Sequence, residues 1–176
     1  MPAKILFIGP MGAGKTTAIA AVSDVAPIAT DVLNTDTAQC DKPTTTVAMD
    51  YGEIQLEDDM VALYGIPGQE RFDFMWSILA EGALGAVLLL NHERPQARQD
   101  LLDYLDAFPE LSARGALVVA VGRVGAAPAQ ALRPYREALA ARQMALPVFA
   151  ADVRRKADVL LLIETLIANA EVNAWT

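Results

Sequence analysis

The sequence has very few of the residues that build disulfides or protein metal centres. Among its 176 residues there is one cysteine, Cys40, and one histidine, His92. A single cysteine excludes an internal disulfide, and neither residue has a second of its kind with which to build a zinc site. The fold must therefore depend on a hydrophobic core, which a chain of this length can bury.

Long apolar runs and positive charge are also scarce. No stretch approaches the roughly 20 apolar residues of a membrane-spanning helix, and residues 1–10 contain neither a basic segment nor a signal-cleavage site. The 14 Lys and Arg against 22 Asp and Glu give a net charge of −8. No basic stripe follows a predicted helix, so nucleic acid is not an expected partner. Lipidation motifs are absent too, and we expect a cytoplasmic protein without a direct membrane anchor.

Several continuous apolar runs predict a sheet that is covered on both faces. Such runs are typical of central parallel strands packed between helices. The runs comprise residues 83–90, 116–121 and 146–149, and residues 4–8, in which four apolar residues follow Lys4, form a further strand of the buried type. Alternating apolar residues over 47–56, a polar turn at 57–59 and the apolar residues 61–63 predict an antiparallel hairpin at one sheet edge. The polar, aperiodic stretch 27–43 is predicted to be a long surface loop.

Helices are predicted between these strands. Residues 15–22 follow the first strand, while residues 101–108 and 159–167 carry apolar side chains at helical spacing. About six strands and five helices, mostly in βα order, predict an α/β fold with a three-layer, mostly parallel sheet and helices on both faces. No linker interrupts the pattern, so residues 1–176 are expected to form a single domain.

A glycine-rich loop joins the first strand to the first helix. Residues 9–16 fit the pattern G-x-x-x-x-G-K-[ST] in full. In such a P-loop the backbone amides and the helix N-terminus wrap phosphates, the lysine adds a positive charge, and the hydroxyl of Thr16 binds Mg²⁺. The alternative is a glycine turn without function. The predicted nucleotide-binding residues of this loop are Gly9, Met11, Gly12, Ala13, Gly14, Lys15, Thr16 and Thr17.

Two further segments, residues 44–51 and 65–70, lie where small GTPases carry their nucleotide-sensing segments. With them the chain resembles the bacterial Ras-like small GTPases of the P-loop NTPase superfamily, chiefly the conservon type and more distantly the gliding-motility type. The resemblance implies that Thr46, or alternatively Thr45, reaches Mg²⁺ and the γ-phosphate. It also implies that the amide of Gly68 faces the γ-phosphate and that Gln69 orients the attacking water. Gln69, Lys15 and Thr46 would then form the catalytic set.

The chain departs from that family at two places. Gly65 stands where most relatives have an aspartate that supports Mg²⁺. Residues 122–125, Gly-Arg-Val-Gly, stand where an Asn-Lys-x-Asp segment normally selects guanine by charge-assisted hydrogen bonds. Ala151 and Asp152 lie where the resembled family has its last base-contacting loop, and by that resemblance Asp152 would substitute in part for the missing carboxylate. Arg123 either stacks on the base or is an ordinary exposed arginine.

The resemblance implies a molecular switch that binds GTP and GDP with Mg²⁺, hydrolyses GTP slowly and acts through a Roadblock-type regulatory protein. A nucleotide-binding module that does not cycle, or that accepts several bases, is the alternative. A small-molecule kinase is a further one, with Arg154 and Arg155 as the nearest candidates for a lid. The apolar side chains of Phe72, Phe74, Met75 and Trp76 either form a partner-docking surface or pack a short helix onto the sheet.

Overall fold

The computed structural model describes residues 2–33, 44–68 and 73–174. Within these ranges the chain forms seven strands and six helices. The strands are β1 (Ala3–Ile8), β2 (Ile28–Leu33), β3 (Thr44–Leu56), β4 (Asp59–Gly65), β5 (Gly85–Asn91), β6 (Leu117–Gly122) and β7 (Val148–Ala150). The helices are α1 (Lys15–Val22), α2 (Asp73–Ala80), α3 (Ala97–Ala107), α4 (Pro109–Ala113), α5 (Pro128–Ala141) and α6 (Lys156–Ala174).

The strands form one sheet in the order β2-β3-β4-β1-β5-β6-β7. β1 lies between β4 and β5 and is parallel to both, and β6 and β7 continue the parallel part. β3 is antiparallel to both of its neighbours. The predicted α/β fold with a mostly parallel sheet is therefore confirmed.

The first edge of the sheet differs from the sequence prediction. The structure has seven strands rather than six, because β2 lies inside the stretch 27–43 that was predicted to be a loop. β2 pairs with β3 from Ile28 opposite Tyr51 to Leu33 opposite Thr44, so β2 and not the hairpin forms this edge. Its sequence shows no alternation, and pairing with a neighbouring strand overrides such a weak local signal.

The side chains of β1 alternate between two hydrophobic clusters, one on each face of the sheet. Ile5 and Phe7 join the cluster that α1 and α6 cover, whereas Leu6 and Ile8 join the cluster that α3 and α5 cover. All four side chains are fully buried. This confirms the predicted arrangement of helices on both faces and fixes β1, with the loop after it, in the middle of the molecule. No helix in the described ranges is long and apolar enough to cross a membrane.

Candidate functional site

A cavity of about 1240 Å³ opens beyond the carboxyl ends of the parallel strands. Its walls include residues 11–17 after β1, residues 65–68 at the end of β4, residues 122–125 after β6 and residues 150–154 after β7, together with Asp50 of β3. Ligands of open α/β sheets bind in crevices of this kind, since the loops that follow parallel strands meet there. The cavity is large enough for a nucleotide.

The loop between β1 and α1 forms one end of the cavity. Gly9, Gly12 and Gly14 have φ angles of 143°, 81° and 102°, values that L side chains rarely adopt. Gly14 is the N-cap of α1, and the first turn of that helix contains neither an acidic residue nor a side-chain cap. The first N–H groups of a helix have no acceptor within the helix and carry its positive dipole end. This end of the cavity is therefore suited to an anion.

Lys15 lies across this loop. Its Nζ donates hydrogen bonds to the carbonyl oxygens of Gly9 at 2.6 Å and Pro10 at 2.9 Å. Burial lowers the pKa of Lys15 to about 8, and the Asp50 carboxylate offsets part of that shift. The amine is thus held beside the anion-binding loop, and it is mostly charged at neutral pH.

Asp50 is a residue of the site that the sequence analysis did not identify. Its Oδ2 accepts a hydrogen bond of 2.5 Å from Oγ1 of Thr16, and its register partner across β3 and β4 is Gly65. A carboxylate therefore stands beside the P-loop hydroxyl although residue 65 has no side chain. The contact follows from the hairpin register: Leu56 lies opposite Asp59, so counting back from this two-residue turn pairs residue 65 with residue 50. The predicted three-residue turn at 57–59 would instead have paired residue 65 with residue 51.

Two arginine–carboxylate pairs form the opposite end of the cavity. Nε and Nη2 of Arg154 donate to Oδ1 and Oδ2 of Asp152 at 2.9 and 2.7 Å, so both oxygens of this carboxylate have a partner. Hydrogen bonds from Arg154 lower the pKa of Asp152 to about 2. Arg123, with a φ of 58°, donates to Glu93 at 3.2 Å. Arg123 and Asp152, the charged residues predicted to contact a base, are therefore each paired with an oppositely charged side chain.

The loop after β7 also touches the phosphate loop. A Cβ added at Gly14 would lie 2.8 Å from Cγ2 of Val153. The amide of Ala151 donates to the carbonyl of Val121, and the amide of Asp152 donates to a carboxylate oxygen of Asp158. Packing of Val153 against Gly14 thus joins the two ends of the cavity, and the hydrogen bonds hold the loop after β7 to β6 and α6.

Helix α2 joins the site through Trp76. The indole Nε1 donates to the carbonyl oxygen of Pro67 at 3.2 Å, and the ring stacks on Tyr104 with centroids 5.3 Å apart. Met75 is buried, whereas Phe74 is 49% exposed. Met75 and Trp76 therefore pack this helix against the rest of the fold, whereas Phe74 remains at the surface; the partner-docking interpretation stays a prediction.

The structure brings most of the predicted site residues to this cavity. Residues 11–17, Gly68, Arg123, Ala151 and Asp152 all line it. Gly9 does not line the cavity, and its carbonyl is instead the acceptor for Lys15.

The remaining predicted site residues are not described. Gln69 lies outside the described residues, as do Cys40 and Phe72, which the sequence analysis also considered. Thr46 lies within β3, which begins at Thr44 rather than at Val47 as predicted, and its side chain is outside the described part of the structure.

Comparison with protein families gives a match over a little over half of the chain. Residues 35–127 match the model of a family described as conserved hypothetical ATP-binding protein. The matched residues include all of β3 to β6 and the whole cavity wall at 122–125. The phosphate loop precedes the matched part.

A curated protein and a solved structure are also similar to this chain. An uncharacterized protein of Methanocaldococcus jannaschii is 27% identical over 97 residues, which cover 55% of this chain and 56% of that protein. The chain thus spans about half the length of this curated relative. The G domain of the FeoB iron transporter of T. maritima superposes with a TM-score of 0.64 at 16% identity, covering 97% of this chain and 99% of that domain. This likeness shows the fold of a G domain.

Proposed function

Because the chain belongs to the family of conserved hypothetical ATP-binding proteins, we propose that it is a nucleotide-dependent molecular switch that binds a nucleoside triphosphate and hydrolyses it slowly. The observation that carries the proposal is the cavity that ends at the glycine loop, the N-terminus of α1 and Lys15. Residues 1–176 would act as one nucleotide-binding unit. The proposal extends the resemblance to bacterial Ras-like GTPases, which supplies the roles of residues outside the described ranges.

The phosphates would lie against residues 11–17. Lys15 would exchange its two carbonyl acceptors for phosphate oxygens, which form stronger, charge-assisted hydrogen bonds. Gly68 is packed closely against the loop, since a Cβ added there would lie 2.8 Å from the amide nitrogen of Met11. By resemblance, the amide of Gly68 faces the last phosphate and Gln69 orients water for in-line attack.

The residues present also fit a Mg²⁺ ion. Mg²⁺ prefers oxygen ligands, and it usually binds through one or two protein oxygens together with substrate phosphates. Thr16 Oγ1 lies at the phosphate end of the cavity, and by resemblance Thr46 would add a second hydroxyl. Bound Mg²⁺ would neutralise charge that develops on the phosphates.

Base selection is proposed to be weak, so that GTP and GDP bind but adenine nucleotides bind as well. Guanine selection normally requires an available carboxylate, and both oxygens of Asp152 accept hydrogen bonds from Arg154. The family description names ATP. Nothing in Gly-Arg-Val-Gly at 122–125 supplies a second carboxylate.

The partner of the switch is proposed to be a Roadblock-type regulatory protein, by resemblance alone. The exposed side chains of Phe74 and Ile78 lie one turn apart on α2 and are 49% and 54% exposed. Trp76 of the same helix is hydrogen-bonded to Pro67. A movement of the backbone at residues 67–68 would therefore shift α2 and its exposed side chains.

We predict that guanine and adenine nucleotides of equal phosphate number bind with affinities that differ by less than about tenfold, because Asp152 and Glu93 at this end of the cavity are both paired with arginines. Isothermal titration calorimetry with Mg²⁺ measures all four. An Arg154→Ala variant, which frees Asp152, is expected to shift the preference toward guanine. A guanine preference above about a thousandfold in the unaltered protein would contradict weak base selection.

Turnover separates a switch from a module that only holds nucleotide. Single-turnover assays with ATP and GTP are expected to give hydrolysis far slower than the roughly 10 per second typical of enzymes. Complete absence of hydrolysis, with binding intact, would favour the non-cycling module. Transfer of phosphate to an added small-molecule acceptor would instead favour the kinase.

Nucleotide affinity is also predicted to fall with rising pH. Without nucleotide the pKa of Lys15 is about 8, and polyphosphate favours the charged amine, so the pKa is higher in the complex. Binding above about pH 8 therefore takes up a proton, and the dissociation constant should be about tenfold or more higher at about pH 9.5 than at about pH 7. In Lys15→Arg the guanidinium stays protonated and the pH dependence should disappear. An equal slope in both proteins would refute the assignment to Lys15.

A further inference from the structure

One glycine and one carboxylate face each other where β3 and β4 pass the phosphate loop. Asp50 is the register partner of Gly65. A Cβ added at Gly65 would lie 3.1 Å from Cβ and 3.2 Å from Oδ2 of Asp50. The side chain of Asp50 therefore takes the space that a side chain at residue 65 would need, and this end of the cavity keeps a carboxylate although β4 supplies none.

The contact between Thr16 and Asp50 has the polarity that a metal ligand requires. Thr16 donates its hydroxyl proton to Asp50, which leaves the lone pairs of Oγ1 available to another partner. Carboxylates that accept a hydrogen bond from a ligating group orient that group and raise its basicity. The same contact draws Asp50 toward the N-terminus of α1, where a negative charge is favourable.

We propose that Asp50 supplies, from β3, the carboxylate that supports Mg²⁺ at Thr16, in place of the aspartate that most Ras-like GTPases carry at the position of Gly65. The inference rests on the proposed function, because the cation also needs oxygen ligands from a bound nucleotide. Gly65 is then a feature that the site requires, since a side chain there would displace Asp50.

The test is the Mg²⁺ concentration that half-maximally slows dissociation of fluorescently labelled ADP and GDP. In Asp50→Asn this midpoint should rise about tenfold to a hundredfold, as is typical when an outer-shell partner of a metal ligand is lost. The dissociation rate in excess EDTA should remain as in the unaltered protein. Asp59→Asn, at the far end of the same hairpin, is the matched control and should keep the original midpoint.

A relocated carboxylate provides a second test. The double variant Asp50→Gly with Gly65→Asp moves the acid from β3 to β4 and removes the contact that would oppose it. Apart from Asp50, the nearest atom to a Cβ at residue 65 is Cδ1 of Ile19 at 3.1 Å, which is the far end of a flexible side chain. This variant should restore the midpoint to within about threefold of the original value.

The possible failures are distinguishable. An unchanged midpoint in Asp50→Asn would overturn the inference and leave nucleotide binding intact. An equal rise in dissociation rate with Mg²⁺ and with EDTA would make Asp50 a structural support of the loop, and would also overturn it. If the unaltered protein binds neither labelled nucleotide, the proposed function itself fails and the inference fails with it.

Discussion

Replacing Lys15 with alanine is expected to weaken binding of ATP and GTP by about a hundredfold or more. The Nζ atom lies 2.6 and 2.9 Å from two carbonyl oxygens of the phosphate loop, within reach of any phosphate that the loop wraps. Each hydrogen bond to a charged group contributes about 1.5–3 kcal/mol, and about 1.4 kcal/mol corresponds to tenfold in affinity. Calorimetric titration measures the loss.

Lys4→Ala is the matched control for this variant. Lys4 is also partly buried, and its Nζ donates to the carbonyl of Glu81 and lies 5.5 Å from the ring centroid of Tyr64. It does not line the cavity. Nucleotide affinity should therefore stay within about twofold of the original value in Lys4→Ala. If Lys15→Ala bound nucleotide as tightly as Lys4→Ala does, the phosphate site would have to be abandoned.

Gly68→Ala is expected to lower the affinity for triphosphates by about tenfold to a hundredfold. The added methyl group would lie 2.4 Å from the carbonyl oxygen of Gly9 and 2.8 Å from the amide nitrogen of Met11. Both are backbone atoms, so the end of β4 and the phosphate loop would have to separate. Overpacking of this kind costs about 1–3 kcal/mol. It would also disturb the carbonyl that accepts the hydrogen bond from Lys15.

Gly82→Ala distinguishes this local effect from a general effect of glycine replacement. Gly82 has a φ of 70° and open space around a new Cβ. Its replacement should lower the melting temperature slightly, because a left-handed conformation costs about 1–2 kcal/mol with a side chain. Its nucleotide affinity should not change. Equal affinities in the Gly68 and Gly82 variants would show that nucleotide binding does not depend on the close contact between residue 68 and the phosphate loop.

The parts of the fold that were predictable are those with strong local signals. The bounds of α1 follow from the phosphate loop before it, and β1, β5 and β6 follow from continuous apolar runs, which only strands covered on both faces require. β2 has no comparable signal. It is a strand because its backbone pairs with that of β3. Residues 28–33 alone do not show that such a pairing strand is available.

The candidate site divides in a similar way. The glycine loop followed by lysine and threonine is a sequence motif, so each residue at the phosphate end of the cavity could be predicted from the sequence. The role of Asp50 depends on the register across a hairpin whose turn is one residue shorter than predicted, and only the observed register brings Asp50 opposite Gly65. The pairing of Asp152 with Arg154 depends on side-chain rotamers. The low pKa of Lys15 depends on burial by surrounding chain segments. No local pattern encodes either.

The indole of Trp76 makes a hydrogen bond to Pro67, one residue before the glycine that packs against the phosphate loop. Indole emission responds to hydrogen bonding and to the polarity around the ring. The chain contains two tryptophans, and the other is Trp175. A Trp175→Phe background therefore gives this protein a built-in optical probe at the point where events in the cavity would pass to α2, without any attached dye.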